Sequence, residues 1–394
     1  MIYLDVSSAA ASAMNTGVQR IIRNLYRHLH QHIHVEPVVW QSTRQVYASL
    51  SSRQKRLLTD PFQDYEEASS HPERLGRPHF FQKWYERLCS RVQTFDTLQG
   101  KAVLLVPDIF TDSRIDYLKN KTSFTKVAIF YDALTWTNPE WATPKRLKRF
   151  EDYLEALSQF DLIFSISRQS ALDLQTFWQK HAMLAPEIQV EWLPCDFEKE
   201  RPAAITGGIE KPLQVLCVSS LEPRKNHQRL LEACESLWAS GCEFKLTLIG
   251  REVKGVGSSP VSFIRELQKR NRPVEWLMHV NDQKLKHAYE TSALTIYPSM
   301  AEGFGVPILE SLWYHKPCLC SHHQAMGEVV QGGGCYPIDP YHVASIASGL
   351  FEVLTKPDLL QKLSQEASER SFLTWDRYTQ QILQRMSPFT KASL

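Results

Sequence analysis

Residues 213–250 read LQVLCVSSLEPRKNHQRLLEACESLWASGCEFKLTLIG. An apolar run, LQVLCVSS, gives way to a polar loop and then to a segment with apolar residues at helical spacing that ends at Gly241. A second apolar run, FKLTLIG (244–250), follows at once. Strand, crossover helix and strand in that order predict a βαβ unit with parallel strands.

The alternation continues on both sides. Downstream, VSFIRELQKRN reads as a helix, PVEWLMHV (273–280) as a strand, DQKLKHAYETS (282–292) as a helix and ALTIYPS (293–299) as a strand. VPILESLWYH (306–315) is again helical and KPCLCS (316–321) a short strand. Upstream, MIYLDVS, VEPVVW, AVLLVPD (102–108), KVAIFYD (126–132), DLIFSIS (161–167) and IQVEWLP (188–194) read as strands, and TGVQRIIRNLYRHLHQH as a helix. Residues 41–98 are polar and partly helical, and read as an insertion or a mobile loop. FEKERPAAITGGIEKP (197–212) has two prolines, a Gly-Gly and no apolar period, and reads as an interdomain linker. The expected fold class is α/β, with two similar doubly wound, Rossmann-like domains, 1–200 and 201–375, and a terminal segment 376–394. In such sheets ligands bind beyond the carboxyl ends of the strands, so the expected site is the cleft between the domains.

Composition narrows the function. With 43% hydrophobic and 22% charged residues over 394 positions, disorder and fibrous folds are excluded. A net charge of +2 argues against a nucleic-acid partner. The first 150 residues carry 21 Lys and Arg against 14 Asp and Glu. Such a basic half suits either contact with an anionic membrane or a mixed solvated face. No apolar run approaches the length of a membrane span, and the N-terminus lacks the pattern of a signal peptide. Eight scattered cysteines without a CxxC pair fit free thiols in a reducing, cytoplasmic compartment.

Four features carry candidate chemistry. AEGFGVPILE (301–310) follows a strand and opens a helix. Its glycines permit close backbone approach, and the N–H groups of Gly303, Phe304, Gly305 and Val306 would face an anion such as a diphosphate. Glu302 and Glu310 flank this run, and Glu310 has the position to accept from two ribose hydroxyls; an ordinary strand–turn–helix with a solvated Glu310 fits the spacing equally. SSLEPRKNH (219–227) places Arg224 and Lys225 at the end of a strand, before a helix that Asn226 can cap. Cations there oppose the helix dipole and make sense if a phosphate neutralises them; solvated loop residues are the alternative. Gly17 opens the first helix, with Arg20 on its first turn, again as anion contacts or as a plain turn. Asp132 ends KVAIFYD and either orients a sugar hydroxyl, acts as a base, or makes a simple turn. His28, His30, His32 and His34 alternate along a helix end, a spacing that does not converge on one metal ion. His322 and His323 follow KPCLCS, where one of them touching a nucleotide base competes with a solvated loop.

The pairing of LEPRKNH with AEGFGVPILE resembles the retaining nucleotide-sugar glycosyltransferases of GT-B fold, family 4, also termed group 1. Glu302 and Glu310 match that family's E-x7-E motif. The resemblance extends over LTLIG, DQKLKHAYETS, KPCLCS and GEVVQGGGCYPIDP, and covers about 213–375 well and 1–40 and 126–195 loosely. TGVQRI with IFYDALTWTNPEW resembles the subgroup that builds bacterial surface polysaccharides, often mannosyl- or rhamnosyltransferases. The resemblance implies Arg224 and Lys225 on the donor diphosphate and the 303–306 backbone beneath it. It implies Glu302 near the transferred sugar, Glu310 on the ribose, Gly17 near the phosphates and Asp132 as the cleft acid. The position before Asp132, often His in the family, is Tyr131, and WLPCDFE replaces a Gly-Val-Asp-like turn. It further implies a last helix, FLTWDRYTQQILQRM (372–386), that crosses back to the first domain. The implied activity is hexosyl transfer with retention, from a nucleotide-sugar (GDP-mannose first) to a saccharide or lipid-linked acceptor. It would proceed without cofactor or metal, in keeping with the lack of an Asp-x-Asp motif, and in the cytoplasm at the inner membrane face. A sugar-nucleotide epimerase or hydrolase of the same fold, or an inactive nucleotide-binding scaffold, would carry the same motifs.

Overall fold

The computed structural model describes residues 1–14, 16–60, 92–93, 102–195, 200–203, 211–253, 259–278 and 280–390. Asn15, Cys89, much of the expected linker 197–212 and most of the second half of 41–98 lie outside them.

The N-terminal sheet has eight strands: β1 (Ile2–Asp5), β2 (Val35–Gln41), β3 (Val46–Ser49), β4 (Val92–Gln93), β5 (Val103–Val106), β6 (Thr125–Phe130), β7 (Leu162–Ser165) and β8 (Glu187–Val190). They lie in the order β4-β3-β2-β1-β5-β6-β7-β8. Six are parallel, and β3 pairs antiparallel to both β2 and β4. This corrects the expectation for 41–98, part of which is sheet rather than insertion. The four-residue strand VYAS is too short to show a period among its polar neighbours, and cross-strand pairs such as Trp40 with Tyr47 hold it.

The C-terminal sheet is wholly parallel. Its strands are β9 (Leu213–Val218), β10 (Phe244–Ile249), β11 (Val274–Leu277), β12 (Leu294–Tyr297), β13 (Cys318–Cys320) and β14 (Cys335–Pro337). The order β11-β10-β9-β12-β13-β14 is that of a dinucleotide-binding domain. The direction of winding reverses between β9 and β12, so the crevice above those two strands is where a ligand fits. Strand β14 had no counterpart in the sequence reading, because its three residues lie between a glycine triplet and Asp339-Pro340.

The helices are α1 (Gly17–His32), α2 (Ser52–Thr59), α3 (Arg114–Asn120), α4 (Leu134–Thr137), α5 (Pro144–Leu157), α6 (Arg168–Lys180), α7 (His227–Ala239), α8 (Val261–Lys269), α9 (Asp282–Thr291), α10 (Val306–Trp313), α11 (Gln324–Val329), α12 (Val343–Thr355), α13 (Pro357–Glu369) and α14 (Trp375–Thr390). None of them is long and apolar enough to cross a membrane.

The C-terminal helix α14 packs on α1, burying Trp375, Tyr378, Ile382 and Met386 in a core shared with Leu25, Leu29 and Leu309. Full burial of each such side chain stabilises by about 1.5–3 kcal/mol. Two of the alternating histidines serve this seam: His28 stacks on Trp375 and His32 Nε2 lies 2.8 Å from Asp376 Oδ1. Among the described residues no group of His, Cys, Asp and Glu is arranged to hold a metal ion. The seven described cysteines are free.

Arg201, at the entry to the second domain, donates to the carbonyls of Leu312, Trp313, Ala367, Ser368 and Arg370. It thereby ties together the ends of α10 and α13, whose last carbonyls have no partner within their own helices.

Candidate active site in the interdomain cleft

The cleft is built from loops at the carboxyl ends of both sheets. After β9 the chain makes a short 3₁₀ turn, Pro223–Lys225, and Asn226 follows with φ of 61°. Asn226 precedes α7 but does not cap it with its side chain, contrary to expectation. Its amide donates instead to Pro298 O (3.1 Å) and Pro340 O (2.6 Å). In this left-handed geometry the side chain ties the β9 loop to the β12 loop, which sets Arg224 and Lys225 against Glu302.

Lys225 Nζ donates to Glu302 Oε1 at 2.5 Å and to Tyr297 Oη at 2.6 Å; Arg224 Nη1 donates to Glu302 Oε2 at 2.6 Å. Tyr297 Oη in turn donates to Glu302 Oε1 at 2.8 Å. Arg224 Nη2 reaches Glu222 Oε1 at 3.0 Å. The two cations are therefore not bare, as the sequence reading had them, but neutralised by two carboxylates. Burial alone would raise the Glu302 carboxyl, yet Lys225 and Arg224 outweigh it and hold it down at about 2. Arg224, though opposed by burial, is raised by Glu302 and Glu222, so it stays charged. A guanidinium has five N–H donors and an ammonium three, so both keep donors for a further anion.

Glu302 leads into the turn before α10. Gly305 has φ of 112°, which few residues other than glycine adopt, and occupies the N-cap position. A Cβ on Gly303 would lie 2.6 Å from Tyr131 O and 2.9 Å from Asp132 Cβ, so the two domains touch here with no room for a side chain. Among the described residues nothing accepts from the N–H groups of Gly303, Phe304, Gly305 or Val306. Four unpaired donors at the positive end of α10 form an anion cradle.

Glu310 is buried rather than solvated. Its Oε1 accepts from Arg20 Nη2 at 2.7 Å and its Oε2 from Tyr289 Oη at 3.0 Å. Arg20 belongs to α1 of the other domain. Gly17 starts α1 on the same side of the cleft, exposed, with nothing within 4 Å of where a Cβ would stand. Asp132 follows β6, half-buried, and accepts from Leu134 N at 3.0 Å. Burial raises its carboxyl, and Arg224 opposes that.

Gly17, Arg20, Asp132, Arg224, Lys225, Glu302, residues 303–306 and Glu310 all line one cavity of about 420 Å³. The anion- and sugar-contact candidates of the four sequence features all meet in it. His322 and His323 do not line it; His323 N donates to Ser321 Oγ beside α11. Sequence reasoning missed Tyr289, Tyr297, Glu222 and Arg23. Arg23 is buried and donates to Ala9 O, Ser12 O, Met14 O and Leu57 O, holding the loop that leads to Gly17. Two interdomain braces were also missed. Glu328 accepts from the N–H groups of Arg168 and Gln169 at the start of α6, both at 2.9 Å, and Ser170 Oγ donates to Gly303 O at 3.2 Å. Only Tyr297 left a trace in the sequence, as the last residue of a strand that ends at the site.

Two facing Rossmann-like domains with an anion cradle at the switch point define the GT-B class of glycosyltransferase. Residues 199–370, which make up the C-terminal domain, match the family model for glycosyl transferases group 1. The chain is 25% identical over 301 residues to a serotype-specific mannosyltransferase, WbdA, of Escherichia coli, covering 72% of this chain and 36% of that one. It is 28% identical over 237 residues to the O-antigen chain mannosyltransferase B of Escherichia coli, covering 58% of this chain and 61% of that one. The chain thus spans about a third of the length of the WbdA relatives. Among solved structures, sucrose-phosphate synthase from Thermosynechococcus elongatus superposes with a TM-score of 0.68 at 15% identity, over 100% of this chain and 99% of that one. WaaG, a glycosyltransferase involved in lipopolysaccharide biosynthesis, gives 0.61 at 15% identity over the whole of both chains. These likenesses bear on the fold.

Proposed function

We propose that the chain transfers a hexose, with retention and without a metal ion, from a nucleotide-sugar to a saccharide or lipid-linked acceptor in surface-polysaccharide synthesis. The observation that carries this is the convergence of Arg224, Lys225 and the 303–306 cradle on one side of a cleft whose other wall is Asp132. The mannosyltransferase relatives make GDP-mannose the first donor to test.

In this reading Glu310 accepts from the ribose hydroxyls, and the diphosphate lies over the N–H groups of 303–306. As the sugar leaves, negative charge grows on the diphosphate. Arg224, Lys225 and the helix terminus are already in place and need no reorganisation to stabilise it. Asp132, raised by burial, faces the sugar from the opposite domain. The acceptor hydroxyl attacks the face that the diphosphate leaves, and the departing phosphate oxygen takes its proton. The reaction would run at the cytoplasmic face of the membrane, where lipid-linked acceptors are found.

The test is calorimetry with GDP-, UDP-, dTDP- and ADP-sugars in EDTA, followed by product analysis with candidate acceptors. One donor bound without metal, lost in Arg224→Ala, with a new α-glycoside formed, is the expected result. Interconversion or hydrolysis of the donor alone would make the protein an epimerase or hydrolase. Binding without turnover would make it a scaffold.

A further inference from the structure

Helix α6 of the N-terminal domain is capped only in part by its own residues. Ser167 precedes it, and its Oγ accepts from Ser170 N at 3.0 Å, but the first turn holds no acidic residue. Among the described residues, the N–H groups of Arg168 and Gln169 have no acceptor within their own domain. The other domain supplies it: Glu328 Oε2 accepts from Arg168 N and Glu328 Oε1 from Gln169 N, both at 2.9 Å. One carboxylate thus satisfies two orphan donors at the positive end of a helix, with hydrogen bonds of the stronger, charge-assisted kind.

Glu328 is poorly placed in its own helix. It lies near the carboxyl end of α11, where the dipole disfavours an acid. It does not line the cavity that holds Glu302 and Glu310, so it touches no proposed substrate. Instead it links the two walls of that cavity. On its own side, Met326 shares a core with Phe304 and Ile308, and a Cβ on Gly305 would stand 3.6 Å from Met326 Cγ. Helix α11 is therefore fixed to the anion cradle. On the far side, Ser170 Oγ shares its proton between Tyr131 O at 2.8 Å and Gly303 O at 3.2 Å, and Tyr131 directly precedes Asp132. Packed and hydrogen-bonded groups thus run without a break from the cradle, through Met326, Glu328 and Ser170, to Asp132.

We propose that Glu328 is a positioning residue, an interdomain latch that holds the domains at the separation where Asp132 faces the cradle. Its effect on turnover rests on the glycosyl-transfer reading; the latch itself rests on the contacts between α11 and α6.

The experiment combines small-angle X-ray scattering, calorimetry and turnover on the full chain, with GDP-mannose as the donor probe. In Glu328→Gln one N–H keeps an acceptor and the other faces an NH₂ group. The ratio of closed to open domains is expected to fall about tenfold or more, read as a larger radius of gyration. The kcat should fall while the donor Kd stays within about twofold, because the donor rests on the C-terminal domain. A second variant separates a latch from a plain helix cap. Arg168 is exposed, and Arg168→Glu added to Glu328→Gln gives α6 an acid in its own first turn. The added acid should restore the melting temperature lost in Glu328→Gln and leave scattering and kcat at the values of the single variant. Recovery of kcat by Arg168→Glu would reduce Glu328 to a cap and overturn the proposal. A folded Glu328→Gln with unchanged scattering, or with the kcat of an active wild type, overturns it as well. If the wild type turns over no nucleotide-sugar, scattering alone decides. Expansion in Glu328→Gln then keeps the latch and removes the glycosyl-transfer reading, and no expansion removes the latch.

Discussion

Arg20 and Glu310 meet at 2.7 Å across the cleft, one from the first helix of the N-terminal domain and the other from inside α10 of the C-terminal domain. The pair joins the two domains at the point where the proposed ribose would bind. Tyr289 holds the second Glu310 oxygen at 3.0 Å, so the carboxylate is oriented before any ligand arrives. A ribose would take up the remaining acceptor capacity of the two oxygens, or displace Arg20 toward the diphosphate.

Glu310→Gln is expected to weaken nucleotide-sugar binding by about 10–100-fold, the range for loss of a hydrogen bond to a charged group. Tyr289→Phe, which only frees one oxygen, should give a smaller loss. Calorimetric Kd values decide this, and wild-type affinity in Glu310→Gln would remove the ribose role.

Arg224→Ala and Lys225→Ala are each expected to lower kcat by about 10²–10³-fold, the scale for removing one preorganised donor to a developing anion. Each also leaves Glu302, buried and ionised, with one cation fewer, so the melting temperature should fall. Lys225 is the more buried of the two cations and should show the larger fall. Steady-state kinetics beside thermal unfolding separates the two effects. Turnover unchanged in both folded variants would sink the assignment of the cations.

The acid side of the stability profile should carry the signature of Glu302. Its carboxyl is held at about 2 against an ordinary 4.5, so its contribution is fully present above pH 4.5 and is lost as pH falls toward 2. The depression corresponds to a few kcal/mol, on the order of 3. Glu302→Gln should therefore be less stable than the wild type at pH 7, and the difference should shrink through that window. Denaturant unfolding at a series of pH values measures it, and parallel profiles for the two proteins would count against the ion triad.

Gly303→Ala tests how closely the domains approach. The new methyl would lie 2.6 Å from Tyr131 O, so the domains must separate or Asp132 must move. Turnover should fall further than nucleotide affinity, because the nucleotide rests on the C-terminal domain while Asp132 does not. A variant with wild-type kcat would show that the contact at Gly303 does not set the reacting geometry.

Much of the architecture is legible in the sequence because parallel strands buried on both faces need unbroken apolar runs. LQVLCV, FKLTLI and LTIY come close to that, broken only by Gln214, Lys245, Thr247 and Thr295, and each became a strand of the C-terminal sheet. The candidate residues were legible for a related reason: the ends of those strands fix where the chain turns, and glycines or charges at the turns stand out. Strands β3 and β14 were not legible, because VYAS lies among polar residues and CYP directly follows a glycine triplet, so neither stands out as an apolar run.

What the sequence by itself determined is the strand–helix alternation, the doubly wound fold class it implies, and several of the side chains that reach the cleft. These follow from apolar periodicity and from turn chemistry, which act over a few residues. Only the tertiary structure decided how those side chains pair. Arg20 with Glu310, Glu328 with the start of α6, and Asn226 with Pro298 and Pro340 join residues 72 to 290 positions apart. No local rule selects such partners. They are chosen when the loops at the strand ends and the two domains come together and each buried polar group must find a partner, because burying one alone is too costly.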